Sequence, residues 1–229
     1  MCPKPIVLLL DEIDSLPEDL LLSVLAQLRR GYTARPLPFV HSLALVGVRD
    51  VRDYRVKIRP EQESMGTASP FNVKSDSLTL RNFSRDEVAE LYAQHTAETG
   101  QGFTPEAVDR VFADTQGQPW LVNAIGRQCV DAEVTDRSQA ITESHAVAAR
   151  EAVILRRDTH LDSLVDKLQE ERVRRIIEPI LTGTTMPLDT YNDDLVYVRD
   201  LGLVVVTPHV RIANPIYQEI IPRSLSWRG

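Results

Sequence analysis

The stretch Pro5-Ile6-Val7-Leu8-Leu9-Leu10-Asp11-Glu12-Ile13-Asp14 determines how the rest of this chain is interpreted. Six residues without a polar side chain precede two consecutive acids, which is the pattern of a strand buried on both faces of a parallel sheet. Asp11 and Glu12 would then lie at the carboxyl end of the strand, where open α/β sheets bind their ligands. The same acids also suit the start of a following helix, so a purely structural interpretation stays open.

The residues that follow predict a βαβ unit. Leucine and valine recur at helical spacing over residues 20–28, and Ser15 and Glu18 have the spacing of a capping box. Residues 41–49 then form a second apolar run, which ends in Arg49. Strand, helix and strand in this order predict two parallel strands joined by a right-handed crossover.

Composition and charge narrow the class of protein. The chain has 229 residues, of which 43% are hydrophobic, and this is enough for one large domain or two small ones. A net charge of −7 disfavours a protein that mainly coats nucleic acid. Cys2 and Cys129 offer neither a disulfide framework nor zinc-ligand spacing, and the five histidines are scattered. We therefore expect a cytoplasmic protein without a membrane segment or a zinc site.

The middle of the chain predicts a series of capped helices. Residues 56–76 are polar and without period, which indicates a loop, and residues 78–83 alternate like a short strand. Ser84-Arg85-Asp86-Glu87 is a capping box, and Thr104-Pro105 begins the next helix. Farther on, Gly117 suits the position just after a helix and Pro119 suits the first turn of its successor.

The last third of the chain predicts two long helices, over residues 141–157 and 161–181, and then shorter elements. Residues 193–202 form a short helix with a glycine stop, and apolar runs over residues 203–207 and 210–213 suggest a hairpin. Asn214-Pro215 would cap a closing helix. Helix, helix and two-stranded ribbon in this order predict a winged helix.

These motifs resemble the AAA+ and STAND branches of the P-loop ATPases over nearly the whole chain. An apolar strand that ends in Asp11-Glu12 resembles the Walker B motif. The resemblance implies that Asp11 holds the Mg²⁺ that accompanies ATP and that Glu12 acts catalytically by polarising the attacking water.

Two further positions match the STAND pattern. The second apolar run ends where these proteins have their sensor 1 arginine, so the resemblance implies a catalytic role for Arg49, with Arg52 and Arg55 as nearby alternatives. Arginines at the end of a strand can also be simply solvated or paired with neighbouring acids. Gly117-Gln118-Pro119 resembles the GxP motif of STAND lids, which implies that Gly117 and Pro119 help to bind the nucleotide.

The resemblance implies an α/β fold joined to a mostly α part. The α/β part is an incomplete parallel P-loop NTPase sheet with the Walker B and sensor 1 strands, and it is followed by a helical lid and a C-terminal winged helix. The expected boundaries are residues 1–82 for the remnant of the ATPase core, 83–157 for the lid and 158–229 for the winged-helix module.

A phosphate-binding loop, G-x-x-x-x-G-K-S/T, is absent from the sequence, because no Gly-Lys pair occurs in it. Ten residues precede Asp11, which is too few for the strand and helix that flank such a loop. We therefore expect the C-terminal portion of an AAA-like or STAND ATP-binding protein, a nucleotide-dependent signalling or regulatory switch that does not bind or hydrolyse ATP efficiently alone. The alternative is a non-catalytic winged-helix adaptor for protein or DNA.

The expected partners follow from these hypotheses. ATP and Mg²⁺ would bind in the complete protein, and protein partners or self-association would cover unpaired sheet edges. From residue 161 onward the chain contains eight basic and ten acidic residues, so DNA binding is possible but not favoured.

Overall fold

The structure is a computed structural model that describes residues 4–34, 39–48, 76, 78–156, 159–184, 186–187, 189 and 191–226. The chain divides into two compact units, residues 1–79 and residues 80–229, which are described separately. The finer division into residues 1–82, 83–157 and 158–229 stays a prediction.

The first unit contains a parallel pair of strands and one helix. Its elements are β1 (Val7–Leu10), a 3₁₀ turn (Ile13–Ser15), α1 (Glu18–Thr33) and β2 (Ser42–Leu45). β1 and β2 are parallel, with Val7 opposite Ser42 and Leu10 opposite Leu45, as the sequence predicted. One side of the pair packs against α1 through a small core of Ile13, Leu21 and Leu25, with Leu10 and Leu45 packed against it.

β1 is not buried on both faces, contrary to the expectation from its apolar run. Val7 is 62% exposed and Leu9 is 70% exposed, whereas Leu8 and Leu10 are half-buried. Successive side chains of a strand point to opposite faces, and α1 packs on one of them. Among the described residues of the first unit, no helix packs on the other face of β1.

The predicted capping box at Ser15 and Glu18 is wrong. α1 begins at Glu18 with Pro17 as its N-cap, and no side chain caps it, while Ser15 ends the preceding 3₁₀ turn. Pro17 restricts the residue before it to extended conformations, and Leu16 is indeed extended, with φ −69° and ψ 139°. The helix therefore cannot begin at Ser15.

The second unit opens with four helices, all close to their predicted positions. They are α2 (Arg85–Thr99), α3 (Pro105–Thr115), α4 (Pro119–Gln128), which continues into a π-helical turn (Cys129–Glu133), and α5 (Glu143–Arg156). The capping box at Ser84 and Glu87 is confirmed, as is the cap of α3 by Thr104 with Pro105 in its first turn. Residues 78–83, which were predicted to be a short strand, do not have strand structure.

The remaining elements of the second unit are α6 (Thr159–Lys167), α7 (Glu171–Leu181), α8 (Asp193–Asp200), β3 (Val204–Val205), β4 (Arg211–Ile212) and α9 (Pro215–Ser226). β3 and β4 form an antiparallel ribbon, with Val204 opposite Ile212. The Asn214 side chain accepts a hydrogen bond from the Tyr217 backbone N–H (2.9 Å), as expected of a helix cap.

The single helix expected over residues 161–181 is two helices, α6 and α7. The buried side chains Leu161, Leu164 and Leu168 follow a helical period, but the next buried residue, Val173, lies five positions farther on. A straight helix would turn Val173 away from the face of Leu168. A turn at residues 168–170 restores the alignment, so both helices bury their apolar faces.

One hydrophobic core runs through the whole second unit. It includes Val111 on α3, Ile125 on α4, Val153 on α5, Ile177 on α7 and Ile216 on α9. The helices of the predicted lid and the C-terminal elements therefore share buried apolar side chains. Over the residues that the structure describes, no helix is long and apolar enough to cross a membrane.

Candidate functional site

Asp11 and Glu12 lie side by side immediately after β1. Both side chains are exposed, and one Asp11 carboxylate oxygen accepts a hydrogen bond from the Glu12 backbone N–H (2.8 Å). Glu12 has the left-handed conformation, with φ 51° and ψ 36°, which is uncommon outside glycine. Buried Ile13 anchors the turn, since its backbone N–H donates to the Val46 carbonyl (3.1 Å). The turn thus presents two carboxylates at the carboxyl edge of the parallel pair.

Exposed carboxylates of this kind are the ligand type that Mg²⁺ prefers. Mg²⁺ takes oxygen ligands and commonly uses one or two carboxylates together with phosphates and water. The exposed Asp11 carboxylate has such oxygens, and its binding of Mg²⁺ stays a prediction. No group of three or more metal-ligating side chains occurs among the residues that the structure describes.

Arg49 and its alternatives Arg52 and Arg55 lie outside the described residues. The pairing of β2 with β1 continues one residue beyond Leu45, where the Val46 backbone N–H donates to the Leu10 carbonyl (2.8 Å). A catalytic role for Arg49 stays a prediction.

Gly117 and Pro119 form the turn between α3 and α4. α3 ends at Thr115, Gln116 has the left-handed conformation with φ 50°, and Gly117 follows with φ +73°. Pro119 occupies the first turn of α4, where the Gln118 side chain caps the helix by accepting from the Leu121 backbone N–H (2.6 Å). The structural roles predicted for Gly117 and Pro119 are confirmed.

Gly117 also has a long-range reason to be glycine. The Phe83 backbone N–H donates to the Gly117 carbonyl (2.8 Å), and a Cβ on Gly117 would clash with the Phe83 carbonyl oxygen. Gly117 is buried in this contact, whereas Pro119 is half-buried. Their contribution to nucleotide binding stays a prediction.

A groove begins one residue after Pro119 and was not predicted from the sequence. It has a volume of about 820 Å³ and is lined by Trp120, Asn123, Ala124, Arg127, Gln128, Asp131, Ala132 and Arg156. The spacing of 120, 123, 124, 127 and 128 marks one face of α4, and this face is mixed rather than apolar. That signal was available in the sequence, but the apolar period of the opposite face was easier to recognise.

The groove combines an indole ring with two guanidinium groups. Arg156 donates to the Gln128 side-chain oxygen (2.8 Å), and Arg127 pairs with Asp131 (3.2 Å) across the π-helical turn. π-helical turns occur frequently at functional sites. An aromatic plane near guanidinium groups can stack on a planar ring and attract an anion. Buried Cys129 adds no nucleophile, because burial raises the pKa of its thiol to about 12.

The arginines near the start of α8 are paired with acids. The Arg172 guanidinium lies 3.9 Å from the centre of the Tyr197 ring and 3.4 Å from an Asp194 carboxylate oxygen. Arg175 pairs with the same Asp194 (2.9 Å), and Arg174 pairs with Glu178 (2.7 Å). This surface is therefore close to neutral rather than strongly basic.

Comparison with solved structures identifies the fold. The Walker-type ATPase PABY2304 of Pyrococcus abyssi aligns with 95% of this chain and 63% of its own, with a TM-score of 0.59 and 15% sequence identity. A lysine-to-arginine mutant of RuvB from Thermotoga maritima aligns with 94% of this chain and 69% of its own, with a TM-score of 0.50 and 16% identity. No family model and no curated protein matches the sequence. The chain spans about two thirds of the length of these two ATPases, and its small parallel sheet and many helices form part of the AAA+ P-loop fold.

Proposed function

We propose that this chain is the C-terminal portion of an AAA-like, STAND-type ATP-binding protein that acts as a nucleotide-dependent regulatory switch. The observation that carries the proposal is the pair of exposed carboxylates, Asp11 and Glu12, directly after a parallel strand in a chain with part of the AAA+ fold. The left-handed conformation of Glu12 supports it, because uncommon backbone conformations cluster at functional sites.

Each candidate residue has a role in this proposal. Bound Mg-ATP would supply the phosphates and the Lewis acid, Asp11 would hold the metal, and Glu12 would polarise the attacking water. Arg49 would contact the terminal phosphate. Gly117 shapes the turn that sets Pro119 and the Trp120 groove, and we assign this groove to the same nucleotide-responsive lid.

The chain alone should be unable to perform the reaction. Phosphates need a loop of backbone N–H groups and a lysine, and the sequence contains no such motif. We therefore propose that the missing part of the site belongs to a longer polypeptide. Protein partners or self-association would then transmit the state of the nucleotide.

The test begins with the purified chain. We expect no Mg²⁺-dependent ATP hydrolysis above that of a Glu12→Gln variant, since Asp11 and Glu12 have no phosphates to act on. Turnover by the chain that Glu12→Gln abolishes, and that the exposed-site control Glu98→Gln leaves intact, would refute the proposal.

The second test examines the gene sequence upstream of Met1. We expect an in-frame G-x-x-x-x-G-K-S/T motif there. In that longer protein Glu12→Gln should retain ATP binding and lose hydrolysis, whereas Asp11→Asn should weaken Mg-ATP binding.

A second candidate function is a non-catalytic adaptor. It is favoured by the order α7, α8, β3, β4 and α9, which we interpret as a winged helix. Arg172 and Arg175 of this part are paired with Asp194, which favours a protein partner over DNA. An adaptor would bind its partner equally well with and without Mg-ATP in the longer protein, whereas a switch would not.

A further inference from the structure

Arg150 on α5 lies at a junction of three helices. Its side chain is 11% exposed, and it donates to Glu219 on α9 (2.6 Å). Its Nε lies 3.6 Å from a carboxylate oxygen of Asp114 on α3, which is itself 10% exposed. Arg150 also pairs with its neighbour Glu151. One guanidinium group therefore connects two helices of residues 83–157 with the last helix of the chain.

The carboxylates of Asp114 and Glu219 each bind a second arginine as well. Arg110 donates to the second oxygen of Asp114 (2.7 Å), and Arg223 donates to the second oxygen of Glu219 (2.6 Å). The result is an alternating chain of charges, which we call the Arg150 network: Arg110, Asp114, Arg150, Glu219 and Arg223. With Glu151 it contains three cations and three anions, so the network is neutral.

Apolar packing seals the same junction. α9 packs against α3. Ile216 and Ile221 on α9 are fully buried in the core that also contains Val111 on α3 and Val153 on α5. Moving α9 away would expose these side chains and would take Glu219 away from Arg150, which would leave a nearly buried guanidinium without one of its carboxylate partners.

We propose that the Arg150 network locks residues 158–229 onto residues 83–157, so that the two predicted modules move as one body. The lock itself does not depend on the proposed function, but its consequence for a nucleotide-driven movement does. If residues 83–157 respond to a nucleotide, the C-terminal elements move with them. The helix α5 suits this role, because Arg156 lines the groove and Arg150 holds α9.

Amide hydrogen exchange on the full chain tests the lock without any nucleotide. In the unmodified chain, the slowest amides of α5 and α9 should exchange within about threefold of each other, because one cooperative unit opens as a whole. Glu219→Gln should accelerate exchange in α9 by about tenfold or more and leave α5 much less affected, since a charged hydrogen-bond partner of a nearly buried arginine is lost.

Glu178→Gln is the matched control, because Glu178 pairs with Arg174 at 2.7 Å but within a single helix. The proposal fails if Glu219→Gln behaves like Glu178→Gln. It also fails if α9 of the unmodified chain exchanges about a hundredfold faster than α5, and this second comparison remains decisive if Glu219→Gln does not fold. Neither result would bear on ATP hydrolysis, so the two proposals fail separately.

Discussion

Gly117 shows how a single residue shapes the turn between α3 and α4. Gly117→Ala should destabilise the chain by about 1 kcal/mol for the left-handed backbone and by a further 1–3 kcal/mol, roughly, for overpacking against Phe83. Gly100 is the matched control, because it has φ +80° and no atom lies within 4 Å of the place that a Cβ would take. Gly100→Ala should therefore show only the first loss. Urea unfolding measures both, and equal losses would contradict the role given to the Phe83 contact.

The sequence allowed the local part of this result to be predicted and not the rest. Gly117 and Pro119 follow from turn chemistry, because a residue just after a helix favours glycine and the first helical turn favours proline. The approach of the Phe83 carbonyl joins residues 34 positions apart in the chain, and no local pattern encodes it. The same limit explains why Trp120 and its groove were missed.

The start of α2 offers a test at the scale of an element. The Glu87 carboxylate accepts hydrogen bonds from Arg81 and from the Ser84 backbone, and these lower its pKa from about 4.5 to about 2. A lowered pKa means that the folded chain prefers the charged form, so the stabilisation is present above about pH 4.5 and is lost as the pH falls through about 2.

Thermal unfolding of Glu87→Gln measures this effect. The variant should melt below the unmodified chain at neutral pH, and the difference should shrink between about pH 5 and pH 2. Glu90→Gln, an exposed change on the same helix, controls for the other carboxylates that titrate in this range. A difference that stays constant over the range would show that the charge of Glu87 does not matter.

Element boundaries were predictable where capping and apolar period agreed. At Ser84 and Thr104 a capping residue directly precedes the helical pattern, and the structure confirms both. At Ser15 the pattern was right, but Pro17 between the two residues moved the helix start. In residues 161–181 the five-residue step from Leu168 to Val173 marked the break between α6 and α7, although helix propensity alone favoured one continuous helix.

At the scale of the whole molecule, the parallel pairing of β1 and β2 was predictable because strand, helix and strand leave few alternatives. The exposure of Val7 and Leu9 was not predictable, because the sequence of an apolar strand does not show which elements pack against it. The junction at Arg150 was equally hidden. Arg150 and Glu219 are 69 positions apart, and single charged residues on separate helices carry no pairing signal.

The last prediction concerns the whole C-terminal surface: it should bind DNA weakly. Arg172, Arg174, Arg175 and Arg211 are the natural phosphate contacts, but the first three are already paired with Asp194 or Glu178. Non-specific DNA affinity depends on neutralising several phosphates and falls steeply with salt. In a gel-shift titration at about 150 mM salt we therefore expect no binding below micromolar concentrations.

Asp194→Asn should strengthen binding, because it releases two arginines. Tight, salt-sensitive binding by the unmodified chain that disappears in Arg174→Glu/Arg175→Glu would show instead that the pairs open and that these arginines contact phosphates.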